Sequence, residues 1–192
     1  MEIFNGYKAC IIKQSVIAIG NFDGLHLAHQ AILDRLLLLA KKFKTKSAVY
    51  TFNPHPVHVL NPGRLLFSID SREEKIKRIS NYGVDFIIDE PFIENFKSIS
   101  SEKFVQDILI SHLDVKGVVV GENYHFGQAK KGNIVFLSKK LNQSNVCLEV
   151  VNSIRINGTV CSSSHIRQLI LNGEVFNASI FLGRKYKISK KA

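Results

Sequence analysis

The chain has 192 residues, of which 45% are hydrophobic and 22% charged, and its formal net charge is +10. That length supports one ordinary domain with a hydrophobic core of its own, and the balance excludes a disordered chain. The N-terminal MEIFNGYKACIIK lacks the long apolar core of a secretory signal, and the most apolar helical stretch, residues 31–40, is too short to span a bilayer and carries Asp34 and Arg35. Three cysteines, Cys10, Cys147 and Cys161, are an odd number without CxxC spacing, which points to reduced thiols and a cytoplasmic address. A positive balance attracts polyanions in general. The lysines are spread out, however, and are not interleaved with stacking aromatics as a nucleic-acid groove requires. Neither nucleic acid nor membrane is expected as a partner, and the oligomeric state is not legible.

In chain order, residues 16–22 form a β-branched apolar run that ends in Gly and Asp, which predicts a buried strand. From Leu27 to Phe43 apolar residues recur with helical spacing, and residues 47–52 predict a second strand, stopped by Pro54 and Pro56. A long loop is expected over residues 53–69. Ser71 with Glu74 three places on is a capping box that starts a helix running to about Tyr82. Strand at 84–88, helix at 101–113, strand at 115–121, helix at 134–141 and strand at 146–151 follow. Two short helices, 163–171 and 174–182, are divided by Gly173. This strand–helix alternation predicts an α/β fold, a parallel sheet with helices on both faces, whose ligands sit beyond the carboxyl ends of the strands.

Four segments at those strand ends carry candidate chemistry. In GNFDGLHLAH, residues 20–29, a strand runs into a Gly-punctuated turn, and His26 and His29 share one face at the start of a helix. Imidazoles at a helix N-terminus suit a phosphate group; equally, His26 caps the turn and His29 packs on the sheet. No third ligand at a recognisable spacing supports a metal site. In TFNPHPVHVL, residues 51–60, the prolines stiffen the strand exit and present Asn53 and His55, unless this is a plain loop. In GENYHFG, residues 121–127, two glycines bracket Tyr124 and Phe126, on which an aromatic ligand stacks, unless Phe126 is core. The basic QAKKGN that follows is a loop able to close over phosphates. In SSSHIR, residues 162–167, three serines exceed what a helix cap needs, and Arg167 beside free serine N–H and O–H groups makes a phosphate clamp. The chain has no GxxxxGK(S/T), no GxGxxG and no GxSxG. Without a covalent nucleophile, direct in-line transfer on phosphorus is the natural reaction.

GNFDGLHLAH and SSSHIR together resemble the two signatures of the nucleotidyltransferase superfamily, HxGH and SSTxIR. TFNPHP and GENYHFG narrow the resemblance to the FMN adenylyltransferase module of bacterial bifunctional riboflavin kinase/FAD synthetases, over residues 20–186. The resemblance implies a Rossmann-like nucleotidyltransferase fold over residues 1–186 with a small C-terminal helical appendage. Residues 187–192 would then be a tail where a riboflavin kinase domain would begin, with that domain expected to be absent. It implies transfer of an adenylyl group from ATP to FMN, giving FAD and pyrophosphate, with Mg²⁺ accompanying ATP through phosphate and water. His26, His29 and Arg167 would be catalytic. Gly20, Asn21, Phe22, Asp23, Gly24, Ser163 and Ser164 would hold ATP. Asn53, Pro54, His55, Pro56, Asn123, Tyr124, Phe126 and Gly127 would face the flavin. One departure is Ala28, where the family motif has glycine. Alternatives are a nucleotidyltransferase for another phosphate, such as a nicotinamide or pantetheine compound, and a flavin or nucleotide binder without turnover.

Overall fold

In a computed structural model, which describes residues 1–61, 63 and 67–187, the apolar runs become strands buried on both faces. Alternate residues of a strand point to opposite faces, and the core divides accordingly. Ile17, Ile19, Ala48, Tyr50, Phe86, Ile88, Val118 and Val120 face one layer of helices, whereas Val16, Ala18, Val49, Ile87 and Val119 face the other. Strands apolar on both sides belong in a parallel sheet covered by helices. Six strands, β1 (Glu2–Asn5), β2 (Val16–Ile19), β3 (Ser47–Asn53), β4 (Phe86–Pro91), β5 (Gly117–Gly121) and β6 (Cys147–Val151), pair in the order β1-β4-β3-β2-β5-β6, every pair parallel. From β2 the chain winds outward to β3 on one side, and β5 with β6 lies on the other. The crevice between the ends of β2 and β5 is therefore the place where such folds bind ligands.

Helix α1 (Leu27–Phe43) lays Ile32, Leu33, Leu36, Leu39 and Ala40 on one face of the sheet, and Lys44, left-handed at φ 53°, ends it. The short α2 (Pro56–Leu60) is followed by α3 (Arg72–Asn81), which shares α1's side of the sheet. On the opposite face lie α4 (Glu94–Lys97), α5 (Ser101–Lys103), its π-helical continuation Phe104–His112, and α6 (Ile134–Gln143). A hairpin of β7 (Arg155–Ile156) and β8 (Thr159–Val160) leads into α7 (Ser163–Leu171) and α8 (Val175–Leu182). These two helices make a small third core of Cys161, Ile166, Leu169, Ala178, Phe181 and Leu182 with Ile69, packed against Leu27 and Ala28 of α1.

Several expectations shift. Strand β2 ends at Ile19 and not at residue 22, because Phe22 turns into the left-handed region at φ 51°. Strand β4 runs past residue 88 to include Asp89 and Glu90, both buried; Arg72 pairs with Asp89 at 2.6 Å, and Tyr50 Oη and Tyr7 N donate to Glu90 at 2.6 and 2.8 Å. The loop expected over 53–69 contains α2, started by His55, whose Nδ1 accepts from Val57 N at 3.2 Å, with Pro56 in the first turn. Only half of the capping box forms: Ser71 Oγ accepts from Glu74 N, while Glu74 pairs with Arg78. Strand β1 and the hairpin were not anticipated. The first is an exposed edge of four residues, and the second turns on Asn157–Gly158, both at positive φ. Most of the expected tail, residues 188–192, lies outside the described residues.

Gly127 ties the loop after β5 to α5: at φ 72°, an added Cβ would lie 2.6 Å from Ser101 N and strike its Oγ. The variant Gly127→Ala should lose about 2 kcal/mol or more in urea unfolding, combining backbone strain with overpacking.

Candidate active site

Beyond the end of β2 the backbone turns sharply, with Phe22, Gly24 and Leu25 all at positive φ. A side chain at Gly24 would meet Ile69 at 3.0 Å, so the turn needs glycine for room as well as for conformation. His26 then caps α1: its Nδ1 accepts loosely from His29 N at 3.4 Å, which puts the imidazole proton on Nε2. The two rings stack at 3.6 Å between centroids, 14° from parallel, and Phe22 packs on His29 at 5.2 Å. His29 Nδ1 is buried with no hydrogen-bond partner among the described residues. Burial holds His26 down at a pKa of about 4, partly offset by the charge of Asp23. Burial also holds His29 well below the usual imidazole range, helped by its neighbours His26, Arg167 and Lys75. Both imidazoles are therefore neutral at pH 7. The expected cap is present at His26, and both rings also line an open cavity of about 460 Å³.

That cavity is walled by Gly20, Asn21, His26, Ala28 and His29 on one side, by Gly121 to Tyr124 on the second, and by Ser162, Ser163 and Ser164 on the third. The serines divide their work. Ser162 caps α7 by accepting from His165 N, Ser163 Oγ donates to Asp23 O at 2.9 Å, and Ser164 is exposed. Arg167 departs from expectation. It does not stand free beside the serines but turns inward, pairing with Asp23 and donating from Nε to Phe67 O at 2.9 Å. The reason is Asp23, only 4% exposed, whose carboxylate also accepts from Ile69 N and Asp70 N at 3.0 and 3.2 Å. A buried carboxylate needs a counter-charge, and Arg167 supplies it.

A second cavity of about 430 Å³ shares Gly20, Asn21, Asn123 and Tyr124 with the first. Its walls are Phe52, Pro56, Val57, Leu60, Phe92, Tyr124, Phe126, Gly127 and Lys130. Tyr124 and Phe126 stack at 5.3 Å, 13° from parallel, so Phe126 is both core and wall. Asn53 and Pro54 are exposed at the end of β3 and do not line this cavity. With His55, Asn53 borders instead a small polar cleft of about 60 Å³, together with Asn21, Asp23, Phe52, Ser68, Asp70, Ser71, Arg72 and Lys75. Asn21 borders all three spaces. Phe92, Leu60, Arg72 and Lys75 were missed in the sequence. For Lys75 a signal existed: it stands four residues before Ile79 on the buried stripe of α3.

The family model described as FAD synthetase matches residues 9–165. The chain belongs to the FAD synthetase family. It is 34% identical over 180 residues to a bifunctional riboflavin kinase/FMN adenylyltransferase of Buchnera aphidicola subsp. Schizaphis graminum, covering 93% of this chain and 58% of that one. It is 30% identical over 178 residues to a protein of Listeria monocytogenes named FAD synthetase, covering 92% and 72%. The chain thus spans less than two thirds of the bifunctional relatives' length. A solved structure named as a macrolide-efflux protein from Streptococcus pneumoniae superposes with a TM-score of 0.85 at 27% identity, over 95% of this chain and 61% of that one. A pantoate-beta-alanine ligase structure from Francisella tularensis, at 17% identity and a TM-score of 0.57 over 92% and 77%, shares the fold. No helix among the described residues is long and apolar enough to cross a membrane.

In this member of the FAD synthetase family, replacing Arg167 by Met leaves the Asp23 carboxylate buried without its cation. The variant should lose about 3–5 kcal/mol of stability in chemical denaturation. The histidines make stability depend on pH. An imidazole titrates near 6.5 in the unfolded chain, so between about pH 6.5 and 4 that chain binds a proton at position 26 that the folded one does not. Stability is complete above pH 6.5 and falls by about 1.4 kcal/mol per pH unit below it for each such imidazole. In His26→Asn the slope between pH 6.5 and 5 should shrink by about one proton's worth. That difference isolates His26 from the carboxyls of Asp70 and Glu90, which burial pushes upward and which act in the opposite sense.

Proposed function

We propose that this chain transfers the adenylyl group of ATP to FMN, giving FAD and pyrophosphate. The observation that carries the reading is the meeting of two cavities at Asn21, where the strand order reverses: one lined by His26, His29 and the start of α7, the other by Phe52, Phe92, Tyr124 and Phe126. The first offers a helix N-terminus and two imidazoles to a polyphosphate. The second offers rings to a flat conjugated ligand. The family description and the relatives' names support ATP and FMN as the pair.

The phosphate of FMN attacks the α-phosphorus of ATP; the new P–O bond forms as the bond to pyrophosphate breaks, with no covalent intermediate on the protein. No general base is required, because a phosphate monoester is already anionic at neutral pH. The protein holds the two phosphates in line and meets the spreading charge. His26 donates from Nε2, since its Nδ1 is turned to His29 N. Incoming phosphate charge raises the pKa of both imidazoles, so their stabilisation grows as negative charge develops. Arg167 acts one step back: it holds Asp23, which holds the backbone at Ile69 and Asp70. ATP enters as its Mg²⁺ complex, and the donor set suits an ion held by phosphate and water. Asp23 is closed by Arg167 and backbone N–H groups, and Glu122, at the cavity wall, accepts from Ser153. Bound with ATP, such an ion would supply positive charge against the charge developing on pyrophosphate.

Incubated with FMN, ATP and Mg²⁺, the chain should release FAD and pyrophosphate in equal amounts. His29→Ala should lower kcat/KM by about 10²–10³-fold while FMN still quenches on binding. Binding of both nucleotides by the wild type with no FAD formed would leave a nucleotide binder in place of the enzyme.

A further inference from the structure

Outside the two large cavities, one buried cation has no carboxylate of its own. Lys75, 9% exposed, donates from Nζ to Thr51 Oγ1 at 3.1 Å and to Phe52 O at 3.3 Å, both neutral acceptors. Among the described residues no carboxylate lies within ion-pair distance of it. The acids around its cleft are already matched: Asp23 by Arg167, Asp70 by Arg184 and Arg78, Asp89 by Arg72. Lys75 is thus left as surplus positive charge in a space of about 60 Å³, beside His55 and the first turn of α3. Burial lowers its pKa and the more distant carboxylates of Asp89 and Asp23 raise it again, an arrangement that a bound anion would relieve. A structural role alone, tying down the exit of β3, would be met by a neutral donor at less desolvation cost.

The position of the cleft says which anion. It shares Asn21 and Phe52 with the aromatic cavity, but only Asn21 with the histidine cavity. Thr51 Oγ1, which accepts from Lys75, donates in turn to Asn21 O at 3.1 Å, so the lysine also fixes the residue where the spaces meet. A ligand seated among Phe52, Phe92 and Tyr124 would extend a substituent into this cleft past Phe52 and Asn21. We propose that Lys75 binds the phosphate of the flavin nucleotide and is the residue by which this chain distinguishes a phosphorylated flavin from an unphosphorylated one. This assignment rests on the FMN adenylyltransferase reading. A competing occupant, the pyrophosphate end of ATP, would reach the cleft only past Asn21.

The test compares the wild type with Lys75→Met and Lys75→Arg, measuring FMN and riboflavin binding by flavin fluorescence and KM separately for FMN and ATP. A wild type that neither binds FMN nor makes FAD would fail the underlying reading, not this inference alone. With that reading intact, Lys75→Met should weaken FMN about 10- to 100-fold more than it weakens riboflavin. KM for FMN should rise and KM for ATP hold, and Lys75→Arg should restore part of the loss. Should Lys75→Met fail to fold by circular dichroism, Lys75→Gln, which keeps a donor for Thr51, takes its place with the same expectations. An unchanged ratio of FMN to riboflavin affinity in a folded variant, equal loss of both flavins, or a rise confined to KM for ATP would each overturn the proposal.

Discussion

The buried ion pair between Asp23 and Arg167 is the contact on which the site's shape depends. A carboxylate at 4% exposure is tolerated only if cations and N–H groups surround it. Here the cation comes from α7 and the N–H groups from residues 69 and 70, while Asp23 itself sits in the turn after β2. Three segments far apart in the chain are thereby held to one atom group. Ser163, donating to Asp23 O, and Arg184, donating to Gly24 O and pairing with Asp70, extend the same fastening across the appendage. Without it, the serines at the start of α7 would have no fixed distance from the histidines of α1, and one wall of the histidine-lined cavity would be lost.

Around that fastening the sheet separates two kinds of chemistry. The middles of the strands are apolar on both faces and supply most of the stability, each fully buried aliphatic side chain contributing about 1.5–3 kcal/mol. Polar residues gather at the carboxyl ends: Asn21 after β2, Thr51 in β3, Asp89 and Glu90 in β4, Asn123 after β5. These are where the parallel arrangement leaves loops free to face a ligand. Another space, of about 330 Å³, lies at the far edge near β1, lined by Tyr7, Glu90 and Phe96; its carboxylate is occupied by Tyr7 N and Tyr50 Oη. The histidine pair follows from burial too. Burial keeps both rings neutral and stacked, and negative charge brought beside them would shift that balance toward the protonated form.

What could be read from the chain alone was whatever depends on neighbours in sequence. The limits of α1 follow from the spacing of Ile32, Leu33, Leu36 and Ala40, Ser71 announces α3, and four short segments at strand ends are enough to mark the family and much of the lining of the two large cavities. Hydrophobic periodicity, cap chemistry and turn residues act within a few positions, so they survive without knowledge of the fold. What the tertiary structure alone decided was which charges meet. Arg167 and Asp23 are 144 residues apart, and no local pattern says that the arginine turns inward and leaves the serines to line the cavity. Lys75 falls on the buried stripe of α3 four residues before Ile79, but only the packing of α3 on the end of β3 makes it a buried cation beside Thr51 and Phe52. A charge's worth is set by the dielectric and the partners around it, and both come from long-range packing that sequence spacing does not encode.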